Sequence, residues 1–354
     1  MSGDLTLGST SRTLLTLAAL VVIAAGIKAA ETLMVPFLLA AFIATIAATP
    51  VFWLERKRVP TGIAITLVTV GFIVMIIGVG AVVAQSAGAF TERLPFYQER
   101  LVETLSNIIA MAAPLGIEIS TDTLLSYFDP STALVMAGNT LSGLGGALSN
   151  GFLILLTVIF ILAEAASFPR KLADVLENPE EDLPLFATFA ENVNRYIGIK
   201  TTVSVITGII VGAFVAVMGI DFPVLWGLLA FLLNYIPTIG SIIAAVPAVL
   251  LALIQLGGIE ATATAAAYVV INIVMGNVVE PKFMSKGLGL STLVVFVSLV
   301  FWGWMLGPVG MLLSVPLTMT AKIALEANPS TAWLAHLLGP ADPPPELPEA
   351  TTPQ

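Results

Sequence analysis

The chain has 354 residues, of which 57% are hydrophobic and 10% charged, with a formal net charge of −9 and a mean hydropathy of +0.99. A soluble domain carries about a quarter charged residues, so there is too little polar surface here to cover a water-soluble body, while several stretches reach the roughly 20 apolar residues that span a bilayer. Cysteine is absent and His336 is the single histidine; disulfides, thiolate or histidine metal sites and Ser/His/Asp catalysis lack their parts, and without a basic stripe no nucleic-acid partner is expected.

In chain order, residues 1–13 form a short N-terminus, and 14–88 hold three apolar spans, 14–30, 32–54 and 62–88. Arg12 ahead of an apolar, Ala-rich run resembles a secretory signal. Further long apolar segments follow at once, so an uncleaved first span is expected. Glu55-Arg56-Lys57-Arg58 is the densest basic cluster, and the positive-inside tendency puts that loop, and with it the N-terminus, in the cytoplasm. Lys28 and Glu31 lie at a span boundary and are expected to snorkel. Residues 89–149 mix Arg93, Glu99, Arg100, Glu103, Glu118, Asp122 and Asp129 with periodic apolar positions. They predict amphipathic helices on the outer face, either a folded lid or a plain connection.

The stretch 150–325 is predicted to be the working core. Residues 151–168 return inward, with Glu164 near the inner end as a proton carrier or, more simply, an interfacial residue paired with a base such as Arg170. Residues 169–200 read as a cytoplasmic amphipathic segment with a solvated charged face. Span 201–220 then runs outward. Residues 222–258 are apolar but interrupted by Asn234-Tyr-Ile-Pro237-Thr-Ile-Gly240-Ser241; span 261–279 returns inward; and 290–325 is interrupted by Gly307-Pro308-Val-Gly310. The tail 326–354, rich in Pro, Asp and Glu, is expected to be disordered and cytoplasmic.

The last third is written twice. Each span is followed by a Gly/Pro-broken hydrophobic stretch, and each second arm carries a proline beside valine, Pro247 and Pro316. By parity the two breaks point in opposite directions. Broken apolar segments in corresponding positions of opposed halves point to a transport site, because irregular backbone survives at membrane depth only against protein or a water-filled cavity. The arm 222–234 is too short to span comfortably, which favours re-entrant hairpins; two ordinary proline-kinked hairpins are the alternative. The fold class is therefore all-α, polytopic, with about seven to eight transmembrane helices and two opposed broken hairpins.

Amide and ionisable side chains inside spans are costly and mark function by default. Asn272, Asn277 and Glu280 occupy neighbouring faces of one segment, and Pro281 frees a carbonyl beside the carboxylate. With Asn234 and Ser241 they would line a pocket for a hydroxylated solute or a coupling cation; alternatively Glu280 sits at the interface and pairs with Lys282. Gly208 and Gly212, and Gly303 and Gly307, have the spacing of close helix contacts. Trp302 and Trp304 read as an interface belt or, alternatively, a substrate face. The run Gly143-Leu-Gly145-Gly146 lacks the strand and lysine of a phosphate loop, so no nucleotide is expected.

Three ordered stretches carry a resemblance: Phe231-Leu-Leu-Asn234-Tyr-Ile-Pro237-Thr-Ile-Gly240-Ser241, Asn277-Val-Val-Glu280-Pro281-Lys-Phe-Met284, and Phe301-Trp-Gly-Trp-Met-Leu-Gly307-Pro308-Val-Gly310 onward to Pro316-Leu317. They resemble signature stretches of the autoinducer-2 exporter family, the last being most similar to the branch of the enteric quorum-signal exporter. One departure is Ser291, where the pattern has proline. The resemblance implies several spans, an extra loop after the third, homo-oligomeric assembly, and export of a small furanosyl signal or, in other members, sodium–proton exchange.

The expectation is thus a carrier in the bacterial inner membrane, neither an enzyme nor dependent on a cofactor. Its partners would be the lipid bilayer, a small-molecule substrate and further copies of itself. Asn234, Pro237, Gly240 and Ser241 would form one tip, Gly307, Pro308 and Gly310 the other, with Asn277 and Glu280 between them and Glu280, followed by Glu164, as ion-coupling candidates. The rivals are a cation/proton antiporter on the same fold and a membrane scaffold acting through its outer segment.

Overall fold

The computed structural model of the protein describes residues 9–112, 151–165, 167–176, 179–283, 289–326 and 329–340, and every regular element among them is helical. Among the described residues five helical stretches are long and apolar enough to cross a membrane: Glu31–Arg56, Thr61–Arg100, Ala190–Val217, Gly258–Val279 and Thr292–Glu326. Many large apolar side chains, among them Val22, Val74, Ile77, Ile209 and Leu293, face outward. An apolar exterior around a helical bundle is what lipid requires and water would punish. The chain is a polytopic all-α membrane protein.

Helices α1 (Ser9–Ala29) and α2 (Glu31–Arg56) meet in a corner at Ala30. Helix α3 (Thr61–Ala112) is one unbroken element of 52 residues, about 78 Å at 1.5 Å per residue. It overruns a hydrocarbon core of roughly 30 Å, and the helix continues without a break past residue 88, where the third span is expected to end. Gly88 stands in open space and nothing stops the helix there. The rest of the expected outer segment, 113–149, lies outside the described residues. Helices α4 (Gly151–Ala165) and α5 (Phe168–Ala173) lead to α6 (Pro179–Val217), which fuses the expected cytoplasmic segment and the next span.

The first broken stretch is a helical hairpin, α7 (Pro223–Leu233) and α8 (Ile239–Gln255). Its mouth is held at Asp221. The backbone N–H of Asp221 donates to Gln255 Oε1 (2.9 Å), Trp226 Nε1 donates to its carbonyl (2.7 Å), and Arg93 and Tyr97 of α3 bind its carboxylate. Phe222 then turns the chain with φ 62°. The α7 arm, about 16 Å long, falls well short of the hydrocarbon thickness. Helix α9 (Gly258–Ile273) passes through a π-helical turn, Val274–Val279, into the short α10 (Glu280–Phe283). Pro281 has no N–H for the carbonyl of Asn277, and the helix just ahead of it widens: Glu280 N–H reaches back five residues to Met275.

The second broken stretch, α11 (Thr292–Glu326), leaves helical geometry at Gly307 (φ 63°, ψ −151°). Trp302 Nε1 donates to Thr318 Oγ1 at 3.0 Å, an approach that a straight helix, with about 24 Å between those residues, forbids. The arms 292–306 and 308–326 therefore fold back on each other. Their mouth is closed by Lys322 Nζ donating to Gly289 O at 2.8 Å. Part of the expected disordered tail is instead α12 (Ala332–Leu338), whose Ala335 is fully buried and whose Leu338 carbonyl accepts from Ser291 N–H at 3.0 Å. The proline expected at 291 would have no such N–H, so Ser291 supplies the bond that docks this helix.

Both hairpins turn on a glycine. A Cβ on Gly240 would stand 1.8 Å from the Leu233 carbonyl oxygen, and one on Gly310 would stand 1.9 Å from that of Trp302. Gly208 and Gly227 likewise bring α6 and α7 into backbone contact, which is the close approach that small residues permit. Gly240→Ala and Gly310→Ala should each destabilise the fold by at least about 1–3 kcal/mol through overpacking against immovable backbone. Gly26→Ala, where a Cβ meets nothing within 4 Å, should change the thermal midpoint in detergent little. Equal midpoints for all three variants would refute this packing.

Candidate functional site

One face of α6 carries a polar line within an apolar helix. Tyr196, Lys200, Ser204 and Thr207 recur three and four residues apart, so they stack on a single side, and that side is buried. Lys200 Nζ donates to both oxygens of Glu280, at 3.0 and 2.8 Å, across to α10. The side chains of this pair are only 7% and 17% exposed. One turn along, Ser204 Oγ accepts from Asn234 Nδ2 at 2.9 Å, and Thr201 Oγ1 accepts from the Tyr235 hydroxyl at 2.8 Å. Asn234 and Tyr235 are the first residues of the hairpin turn between α7 and α8. The first hairpin tip and the Glu280 carboxylate are thus bound one turn apart to the same helix.

The remaining tip residues define its shape. Thr238 adopts φ 61°, a region costly for a threonine, and Gly240 N–H returns to Ile236 O at 3.3 Å. Ser241 Oγ donates to Thr238 O at 3.0 Å, tying the first turn of α8 to the residue before it. Ser241 also lines a groove of about 380 Å³ between α8 and α9, together with Tyr268 and Asn272. Tyr235 packs edge-on against Phe42 of α2 and Phe231 of α7, within one buried cluster that also holds Tyr196, Leu313 and Val315.

The other expected residues are distributed. Asn277 is exposed on the π-helical turn. Gly307 and Pro308 lie at the second tip, where Gly307 faces Glu31 of the α1–α2 corner, while Gly310 seats the second arm on Trp302. Glu164 is exposed and bound by Lys171 and Ser167, not by Arg170. Among the described residues no group of His, Asp or Glu is placed to hold a metal ion.

Lys200, Thr201 and Ser204 went unrecognised in the sequence because Lys200 falls at the end of a segment that reads as cytoplasmic. Their signal was the spacing: polar residues at 200, 204 and 207 cannot all face lipid. Lys282 does not bind Glu280; its partner among the described residues is 80 residues away. Removing one partner of a buried pair leaves an uncompensated charge, at a cost of about 3–5 kcal/mol, whereas replacing both is close to neutral. Lys200→Met should therefore lower thermal stability in detergent strongly, and Lys200→Met combined with Glu280→Met should recover most of the loss. Equal losses in the single and double variants would contradict the pairing.

A family model described as AI-2E family transporter matches residues 17–330. The chain is 42% identical over 319 residues to the AI-2 transport protein TqsA of Escherichia coli (strain K12), covering 90% of this chain and 93% of that protein. It is 41% identical to a Haemophilus influenzae protein over 93% of this chain and 96% of the relative, and 39% identical to YhhT of Escherichia coli (strain K12) over 95% and 96%. The broken hairpins, their glycine pivots and the polar line on α6 all fall inside the matched region. This chain belongs to the AI-2E family of membrane transporters.

Proposed function

We propose that this chain exports a small polar solute across the bacterial inner membrane, with the furanosyl signal autoinducer-2 as the first candidate. The observation that carries the reading is the Lys200–Glu280 pair, buried beside the tip of a hairpin whose first arm is too short to cross the bilayer. A buried ion pair is weak support for stability alone, but its polar groups offer a hydroxylated solute replacements for the hydrogen bonds it leaves in water. Identity of 42% to TqsA, named as an AI-2 transport protein, supports that solute.

In this reading both hairpins are re-entrant, and the basic cluster at Arg56, Lys57 and Arg58 keeps the termini cytoplasmic. Copies of the chain assemble in the bilayer through outward apolar faces, because Gly208 and Gly212 are already engaged with Gly227 inside the protomer. Transport needs no nucleotide. A cation antiporter is the second reading, favoured by the Glu280 carboxylate, whose counter-charge among the described residues is a lysine that a translocated cation would displace.

The test is flux through purified protein in liposomes, with labelled autoinducer-2 and imposed sodium or proton gradients. Glu280→Gln and Pro237→Ala, shown to be folded, should each reduce signal flux at least about tenfold, the loss expected when about 1.4 kcal/mol of site interaction disappears. Ion exchange without signal flux would establish the antiporter. Folded protein that moves neither would end the carrier reading.

A further inference from the structure

The tip of the second hairpin is met by the corner between α1 and α2. Lys28 Nζ donates to the carbonyl of Trp304 at 2.9 Å and pairs with Glu31 Oε2 at 2.7 Å. Trp304 lies four residues before Pro308, and Gly307 between them leaves helical geometry. The Trp304 carbonyl has therefore lost its helical donor, and a lysine from another helix, 276 residues away in the chain, supplies one. Glu31 Oε1 stands 3.3 Å from where a Cβ on Gly307 would sit. The cation thus faces the C-terminal end of one arm and the anion faces the start of the next. That is the polarity the two helix dipoles favour.

This repeats, at the other hairpin, the arrangement at the first: a Lys–Glu pair set against a Gly/Pro-broken tip. The two differ in burial. Lys200 and Glu280 are 7% and 17% exposed and the first tip is further bound through Asn234 and Tyr235. Lys28 and Glu31 are 40% and 32% exposed, so breaking their pair costs less than breaking the buried one. The base of the second hairpin, by contrast, is fastened by Lys322 to Gly289 and by Ser291 to Leu338. A hairpin fastened at its base and held at its tip by the more exposed pair is freest at the tip.

We propose that the Lys28–Glu31 pair is a releasable latch that holds the second hairpin tip against the α1–α2 corner and opens during the transport cycle. The cycle part rests on the carrier reading above. The holding part does not.

Because the chain has no cysteine, introduced thiols report alone. Ala29→Cys and Trp304→Cys, both at exposed positions, carry spin labels without removing the 304 carbonyl, and pulsed dipolar spectroscopy in lipid nanodiscs measures their separation. A narrow, short distance is expected with Lys28 and with Lys28→Arg, and a broader, longer one with Lys28→Met or Glu31→Gln. A distribution indifferent to Lys28→Met would overturn the latch. Bridging the same two cysteines with a short, cleavable bifunctional thiol reagent in liposomes should lower solute flux at least tenfold and cleavage should restore it; undiminished flux when bridged would also overturn it. Should unbridged protein move no solute or ion, the carrier reading fails and the latch fails as part of a cycle, while the distance measurement still decides whether the pair holds the tip.

Discussion

A backbone carbonyl or amide that loses its helical partner inside a lipid-facing bundle has no water to turn to. The protein interrupts a helix by this means twice, at Asn234–Gly240 and at Gly307–Gly310, and the surrounding structure is largely the set of groups that make those interruptions tolerable. At the first, side chains of α6 take the amide and phenol of Asn234 and Tyr235, while Gly240 lets the second arm close onto the Leu233 carbonyl. At the second, Lys28 reaches the Trp304 carbonyl and Gly310 repeats the close approach. A Cβ at either glycine would clash with the backbone of the facing arm, and without the acceptors on α6 and the lysine donor on α1 these polar groups would be left unpaired.

Magnitudes separate the two ends. An exposed ion pair contributes about 0–1 kcal/mol, whereas breaking a buried one by removing a partner costs roughly 3–5 kcal/mol. The Lys200–Glu280 pair is of the second kind and joins α6 to α10 next to the first tip, so that region behaves as one tied unit. The mouths of the hairpins are fastened separately, by Asp221 with Gln255, Arg93 and Tyr97 at one, and by Lys322 with Gly289 at the other. The same device, a broken helical hairpin with a clamped base and a charged pair at its tip, is thus built twice with different firmness.

The overall class and the hairpins were legible in the sequence because their signals are local. Twenty-residue apolar stretches, Gly/Pro interruptions and the paired prolines Pro247 and Pro316 can be read without knowing what they touch. Boundaries were less legible. Gly88 and the charged residues after it mark an expected end to the third span, yet a glycine in open space costs a helix only about 1 kcal/mol, and α3 continues to Ala112. The tail reads as disordered from its prolines and acids, but Trp333, Leu334, Leu337 and Leu338 form a short apolar helix that a serine at 291 can dock.

Sequence by itself determined that this is an all-α membrane protein with two opposed interruptions, and it singled out Asn234 and Glu280, because the cost of placing apolar surface in water and polar groups in lipid depends only on which residues occur and how they are spaced. Partnership was decided by tertiary structure. Glu280 pairs with Lys200 and not Lys282, Asn234 with Ser204, Asp221 with Arg93 and Tyr97, and Lys28 with a carbonyl 276 residues away. A buried charge or an orphaned carbonyl demands a partner, but hydrogen bonds reach only about 3 Å, and which residue comes that close is settled by how the helices pack.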